Sequence, residues 1–204
     1  MDYLHLPFFE RDIHIVAQDL LGRDLEHEHA GVLRRGRIVE VEVYEGANDR
    51  ASHARSGKPT ERTAPMFAAP GTIYVYRIYG RYLCLNIRAP STDGPGAILV
   101  RACAPLVGLA AMAAGRGLVD HPQEFDESMV GRLMSGPAKL TQALGISAAM
   151  SGELVGERLW VRQGEPVAEI LATTRLGLNR ATCGPCVDRP WRYVVRGSPW
   201  LSAP

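Results

Sequence analysis

What the chain lacks narrows the possibilities first. Its 204 residues contain no apolar run near the roughly 18 that a membrane-crossing helix needs, and the start MDYLHLPFFERD has no basic stretch ahead of an apolar one. Neither a membrane span nor a secretory leader is expected, and no membrane partner. Cysteine is scarce: Cys84, Cys103, Cys183 and Cys186 are too few and too scattered to staple a chain this long, and they fit a reducing compartment such as the cytoplasm. Lysine is nearly absent, with Lys58 and Lys139 the only two, so chemistry through a lysine imine has few candidates. No repeat, low-complexity tail or linker-like stretch breaks the sequence. One domain over residues 1–204 is expected, since 46% hydrophobic residues suffice to bury one good core.

The net charge of +1 hides an asymmetry. Residues 50–101 carry eight basic side chains (Arg50, Arg55, Lys58, Arg62, Arg77, Arg81, Arg88, Arg101) against Glu61 and Asp93, an excess of six, whereas residues 102–172 carry five basic against eight acidic. Clustered arginine beside aromatics suits a polyanion better than a small neutral ligand. A merely solvated basic surface is the plainer alternative.

The basic block follows GRIVEVEVYEG. In an extended strand, Val39, Val41 and Val43 point one way and Glu40, Glu42 and Tyr44 the other. The valine face is core; two acids and an aromatic make a poor core and a plausible site wall. The next stretch, ANDRASHARSGKPTERTAPMFAAPG, has no apolar period and is a long loop of the kind that usually carries function; it brings Ala51 and His53 toward the acid face. TIYVYRIYGRYLCLNIR then reads as a hairpin reversing at Gly80, with Tyr74, Tyr76 and Ile78 on one face and Val75, Arg77 and Tyr79 on the other. Tyr79 falls at the tip between Arg77 and Arg81, where an aromatic gains little from core burial but could act as a wedge entering a base stack.

Elsewhere the reading is coarser. RDIHIVAQDLLG has helical spacing with Gly22 as a stop, and LEHEHAGVLRRG opens a strand pair whose His27 and His29 lack a third metal ligand in register and are expected to be exposed. AILVRAC is a strand with Arg101 near its end. PLVGLAAMAAGRG is a helix, and DESMVGRLMSGPAKLTQALGI is two helices, the second capped by Ser135, with Pro137 in its first turn and Lys139 offering a phosphate seat. ERLWVRQ, PVAEILATTR and PWRYVVRG close the chain as strands. CGPC has thioredoxin-like spacing but sits in a Gly/Pro loop about twenty residues from the C-terminus, the wrong place for that motif.

The stretches GRIVEVEVYEG, ASHARSGKPTER, MFAAPGTIYVYRIYGRYLCLNI, AILVRACAPLVG, SGPAKLTQALGI, TTRLGLN and PWRYVVRGSPW, in that order, resemble the alkyladenine (3-methyladenine) DNA glycosylases, the monofunctional methylpurine-DNA glycosylase family. The resemblance implies an α+β fold: a single mixed domain with a curved antiparallel sheet, packed helices and a protruding β-hairpin that enters the DNA minor groove. It also implies base-excision repair of double-stranded DNA containing damaged purines, by a cytoplasmic, monomeric enzyme that needs no cofactor or metal and is nucleoid-associated if bacterial.

By the same resemblance Glu42 is the general base, Arg101 helps to hold the attacking water, and the main chain of Leu176 touches that water. The flipped base lies between Tyr44 and His53 on one side and Tyr76 on the other, beside Ala51. Asn86 obstructs the amino group of normal guanine, and Tyr79 intercalates. Read from the residues instead, Tyr74, Arg77 and Arg81 of the hairpin and Lys139 of the helix start complete the expected DNA-binding set. The chain departs from the pattern in two extra residues between Asn86 and Arg101 and in CGPC ahead of PWRY. A lyase would need an amine nucleophile, and neither Lys58 nor Lys139 lies in such a setting. Two other classes remain for comparison: a non-catalytic binder of damaged nucleic acid, and a thiol oxidoreductase acting through Cys183 and Cys186.

Overall fold

The computed structural model describes residues 2–203. In chain order its main elements are helices α1 (Leu6–Phe9) and α2 (Ile13–Leu20), strands β1 (Asp24–His29), β2 (Val32–Tyr44), β3 (Ile73–Ile78), β4 (Tyr82–Ser91) and β5 (Gly94–Val107), helices α3 (Leu109–Gly115) and α4 (Pro137–Leu144), strands β6 (Leu159–Arg162) and β7 (Ile170–Thr173), helix α5 (Arg180–Cys183) and strand β8 (Arg192–Val195). Eight strands form one antiparallel sheet in the order β3-β4-β5-β2-β1-β6, with β8 paired to β2 and β7 to β8. The result is the α+β architecture expected from the sequence.

β2 is the spine. It pairs with β5 along one edge, and along the other with β1 near its start and β8 near its end. Being central it is buried on both faces: Ile38, Val41 and Val43 enter the main core, and Glu40 and Glu42 are also without solvent exposure. Helix α2 covers the valine face through Ile13, Val16, Ala17 and Leu20. Asp12 starts that helix by accepting from the N–H groups of His14 and Ile15. Full burial of each of the larger side chains, Ile13, Val16 and Leu20, contributes about 1.5–3 kcal/mol.

Alternation along β2 is interrupted, which places the chemistry. Ile38 pairs with Cys103, Glu40 with Ala102 and Val41 with Val100, so Val39 on β2 and Arg101 on β5 are left without opposite partners. A bulge of this kind re-aims a side chain. Here it turns Arg101 toward the acidic face.

Several expectations need correction. Arg101 lies in the middle of β5 rather than at a strand end, and the stretch between Asn86 and Arg101 is a hairpin with only residues 92 and 93 between β4 and β5. The first of the two helices expected around residues 127–144 is a 3-10 turn, Glu127–Arg132, and α4 is capped by Gly136, not Ser135, whose hydroxyl donates to the Gly131 carbonyl. His27 is buried, its ring bonded to the Leu144 carbonyl, because α4 packs over β1. CGPC forms the end of α5 and a following 3-10 turn, with both thiols buried.

Candidate active site

Glu42 sits where three elements converge. Its Oε2 accepts from the Tyr44 hydroxyl at 2.7 Å and from Arg101 Nη1 at 3.3 Å, and its Oε1 accepts from the Leu176 N–H at 2.7 Å. Three donors on one carboxylate match a group that has only acceptors. Tyr44 is two residues along the same strand and therefore on the same face. Burial, with Glu42 adding to it, pushes the Tyr44 hydroxyl well above its ordinary pKa, so it stays a donor. Burial works against the charge on Arg101, but Glu42 and Glu40 outweigh it and raise its pKa.

In front of this carboxylate lies an aromatic pocket in two parts. An inner cavity of about 30 Å³ is lined by Tyr44, Ala51, His53, Met66, Tyr74, Tyr76, Asn86 and Ala97. An outer cavity of about 340 Å³ shares Tyr44, Ala51, His53 and Tyr76 with it and opens between Tyr79, Arg101, Pro137 and Leu176. Asn86 is fixed by donating its amide to the Tyr74 carbonyl at 3.0 Å. Seven of the residues expected from the sequence to act on the base or water (Arg101, Tyr44, Ala51, His53, Tyr76, Asn86, Leu176) thus line one space, with Glu42 behind it.

Of the expected DNA contacts, Tyr79 is 88% exposed at the hairpin tip, and Arg77, Arg81 and Lys139 are exposed. Tyr74 is corrected: at 1% exposure it belongs to the pocket wall, stacked on Tyr76 with ring centroids 5.3 Å apart, because residues two apart on a strand share a face. Tyr79 adopts φ 48°, a left-handed conformation that disfavours every residue but glycine and, less so, asparagine or aspartate. The turn itself demands this, since Gly80 follows at φ 69° and Arg81 N–H closes the reversal on the Ile78 carbonyl at 3.2 Å; what folding leaves unexplained is an exposed aromatic at a position that glycine or asparagine would fill with less strain.

A sequence model of the family described as Methylpurine-DNA glycosylase (MPG) matches residues 7–199. The chain belongs to that family. A protein from Alkaliphilus oremlandii, provisionally named a 3-methyladenine DNA glycosylase, is 39% identical over 202 residues, covering 98% of each chain. A protein of the same provisional name from Desulfitobacterium hafniense is 36% identical over 204 residues, 99% of each. The mouse DNA-3-methyladenine glycosylase is 39% identical over 209 residues, covering 96% of this chain and 60% of the mouse protein.

Two buried ion pairs of this family member frame the site and were not anticipated from its sequence. Arg175, immediately before Leu176, bonds Asp49 through Nη1 at 2.5 Å and Nη2 at 2.9 Å, with no exposure of either side chain. Its guanidinium lies 4.7 Å from the Tyr44 ring centroid and 5.1 Å from that of Trp191, and it also donates to the carbonyls of Val43 and Cys186. The second pair, Glu40 with Arg192, is extended by Arg101 into a triad. The partners are 126, 152 and 61 residues apart, beyond the reach of any local pattern.

His53 is held in one tautomer. Arg62 Nη2 can only donate, and it points at His53 Nε2 (3.3 Å), so the ring proton is on Nδ1, facing the Tyr74 hydroxyl at 3.0 Å. Burial, with Arg62 and Arg55 nearby, pushes the ring pKa down from 6.5 to about 4. The ring meets Tyr76 edge to face with centroids 4.6 Å apart. A base stacked on both sides needs about 7 Å, two contacts of about 3.5 Å, so His53 and Tyr76 must move apart before a base can lie between them.

The lowered pKa has a measurable sign. Below pH 6.5 the unfolded chain takes up a proton at His53 that the folded chain refuses until about pH 4, so stability falls as pH drops through that window. The loss is on the order of 2 kcal/mol. Denaturant melts at pH 6.5 and 4.5 should show wild type losing more stability than His53→Asn; equal losses would contradict a neutral, buried His53.

Proposed function

We propose that this protein is a monofunctional DNA glycosylase, one domain throughout, that removes alkylated or deaminated purines, 3-methyladenine, 7-methylguanine and hypoxanthine among them, from double-stranded DNA. The observation that carries the reading is the placing of Glu42, which lies behind an aromatic pocket and is tied to Tyr44, Arg101 and Leu176, with Tyr79 exposed at the pocket mouth.

The chemistry follows from the geometry. A base inside a duplex hides its glycosidic bond, so the nucleotide must rotate out, at a cost of a few kcal/mol in stacking and pairing. Tyr79 fills the gap and offsets part of that cost. Arg77 and Arg81 flank Tyr79 in the hairpin and Lys139 lies in the first turn of α4, all exposed and available to phosphates, and the start of α4 adds N–H groups without a side-chain cap. The extruded purine enters between Tyr76 and Tyr44 as the His53 ring swings aside. Alkylation at N3 or N7 makes the purine cationic, and a cation against aromatic faces gains roughly 0.5–2 kcal/mol over a neutral ring. Asn86 crowds the position of the guanine amino group. Glu42 takes a proton from a water seated among itself, Arg101 and Leu176, and that water attacks the anomeric carbon as the damaged base departs.

Purified protein incubated with oligonucleotides bearing each lesion should yield free base and an intact strand with an abasic site. Binding without abasic product would establish the non-catalytic binder instead, and an imine trapped by borohydride would establish a lyase. In the same assay Tyr79→Ala should lower release from duplex about tenfold, with little change on single strands, which need no wedge. Equal effects on both substrates would count against the wedge.

A further inference from the structure

The least expected part of the site is the C-terminal segment. Glu40 is fully buried, and its Oε1 accepts from Arg101 Nε (3.0 Å), Arg192 Nε (2.8 Å) and the Ser202 hydroxyl (2.7 Å), while Oε2 accepts from the Ser202 N–H (2.6 Å). Ser202 Oγ in turn accepts from Arg101 Nε at 3.3 Å and Nη2 at 3.1 Å, and Arg192 Nη2 ties the segment down by donating to the Ala203 carbonyl at 2.8 Å. Nε and Nη2 of the Arg101 guanidinium are therefore committed to Glu40 and Ser202, and Nη1 is the nitrogen turned to Glu42. A planar fork fixed at two nitrogens cannot rotate the third out of place.

The arrangement is more than packing. Arg101 stands at a bulge with no cross-strand partner, so the sheet alone leaves its side chain free to choose between two neighbouring carboxylates. Left to itself, a guanidinium would bridge Glu42 by two parallel bonds, occupying the oxygen that must receive the proton of water. Glu40 competes for it, and the Ser202 hydroxyl, donor to Glu40 and acceptor from Arg101 at once, locks the outcome. The hydrogen bonds of Glu40, foremost those from Ser202, outweigh burial and hold its carboxyl below the ordinary range, so it remains a fixed anion.

We propose that Glu40 and Ser202 are positioning residues for base release, and that the segment ending in Ser202 acts as a strap that leaves Arg101 a single hydrogen bond to Glu42. The inference rests on the roles of Glu42 and Arg101 given above. A strap of this kind acts on the chemical step and not on DNA affinity, because neither Glu40 nor Ser202 lines the pocket.

The test is a double-mutant cycle on single-turnover base release at saturating enzyme, with wild type, Arg101→Ala, Ser202→Ala and the combination, alongside damaged-duplex affinity. Ser202→Ala should slow release about tenfold with affinity within about twofold of wild type, Ser202→Thr should restore most of the rate, and Ser202→Ala should have no further effect once Arg101 is Ala. A wild-type rate for Ser202→Ala, or equal slowing with and without Arg101, would overturn the strap. An unchanged rate for Arg101→Ala would refute the role of Arg101 itself and the strap with it, and that result is distinct from failure of the strap alone. Glu40→Gln, which keeps the shape of the buried side chain, should mirror Ser202→Ala; a wild-type rate there would also overturn the proposal.

Discussion

Glu42→Gln is expected to slow base release from a damaged duplex by about 10³-fold while leaving affinity for that duplex within about twofold, since a positioned general base contributes about 10²–10⁴. The amide keeps the shape of the side chain and can still accept from Tyr44, Arg101 or the Leu176 N–H through its carbonyl oxygen, but it offers no basic site to water. Affinity is unaffected because Glu42 lies behind the pocket and not on its surface. Single-turnover release with excess protein separates the two quantities. Turnover at the wild-type rate would remove Glu42 from the reaction.

Asp49→Ala should have the largest effect on stability. It leaves the Arg175 guanidinium fully buried without its carboxylate partner, and breaking such a pair by removing one side costs about 3–5 kcal/mol. In a chain of this length that corresponds to a fall in melting temperature of roughly 10 °C. Release should drop as well, because Arg175 packs against Tyr44 and precedes Leu176, so two of the three donors to Glu42 lose their support. Calorimetry checks the first expectation, and release measured well below the melting temperature checks the second. A melting temperature within a degree or two of wild type would mean that Arg175 finds another anion or water.

What was legible in the sequence is what local rules control. Strand alternation put Glu42 and Tyr44 on one face because the period of a strand is two, and the same rule paired Tyr74 with Tyr76, while the reversal at Gly80 set Tyr79 at the hairpin tip. The family resemblance supplied roles for residues that geometry then brought together, among them Asn86 and Leu176. What was not legible depends on contacts distant in sequence. Asp49 with Arg175, and Glu40 with Arg192 and Ser202, are chosen by tertiary packing, and nothing local marks an arginine in TTRLGLN or PWRYVVRG as the partner of a buried acid. Nor does alternation reveal a bulge, and Arg101 came out near a strand end because the strand was read only over AILVRAC whereas β5 runs on to Val107. Tyr74 was placed on DNA although its face was correctly read, because strand parity does not tell which face of the hairpin is covered by the loop bearing His53.

The most direct test of the central claim uses a duplex carrying the fluorescent lesion ethenoadenine, mixed in a stopped-flow instrument with Glu42→Gln protein. The account predicts a rapid change in fluorescence as the base leaves the stack and enters the aromatic slot, a signal that then persists without abasic product. Binding with no change in fluorescence, or a signal that decays into product at the wild-type rate, would contradict it.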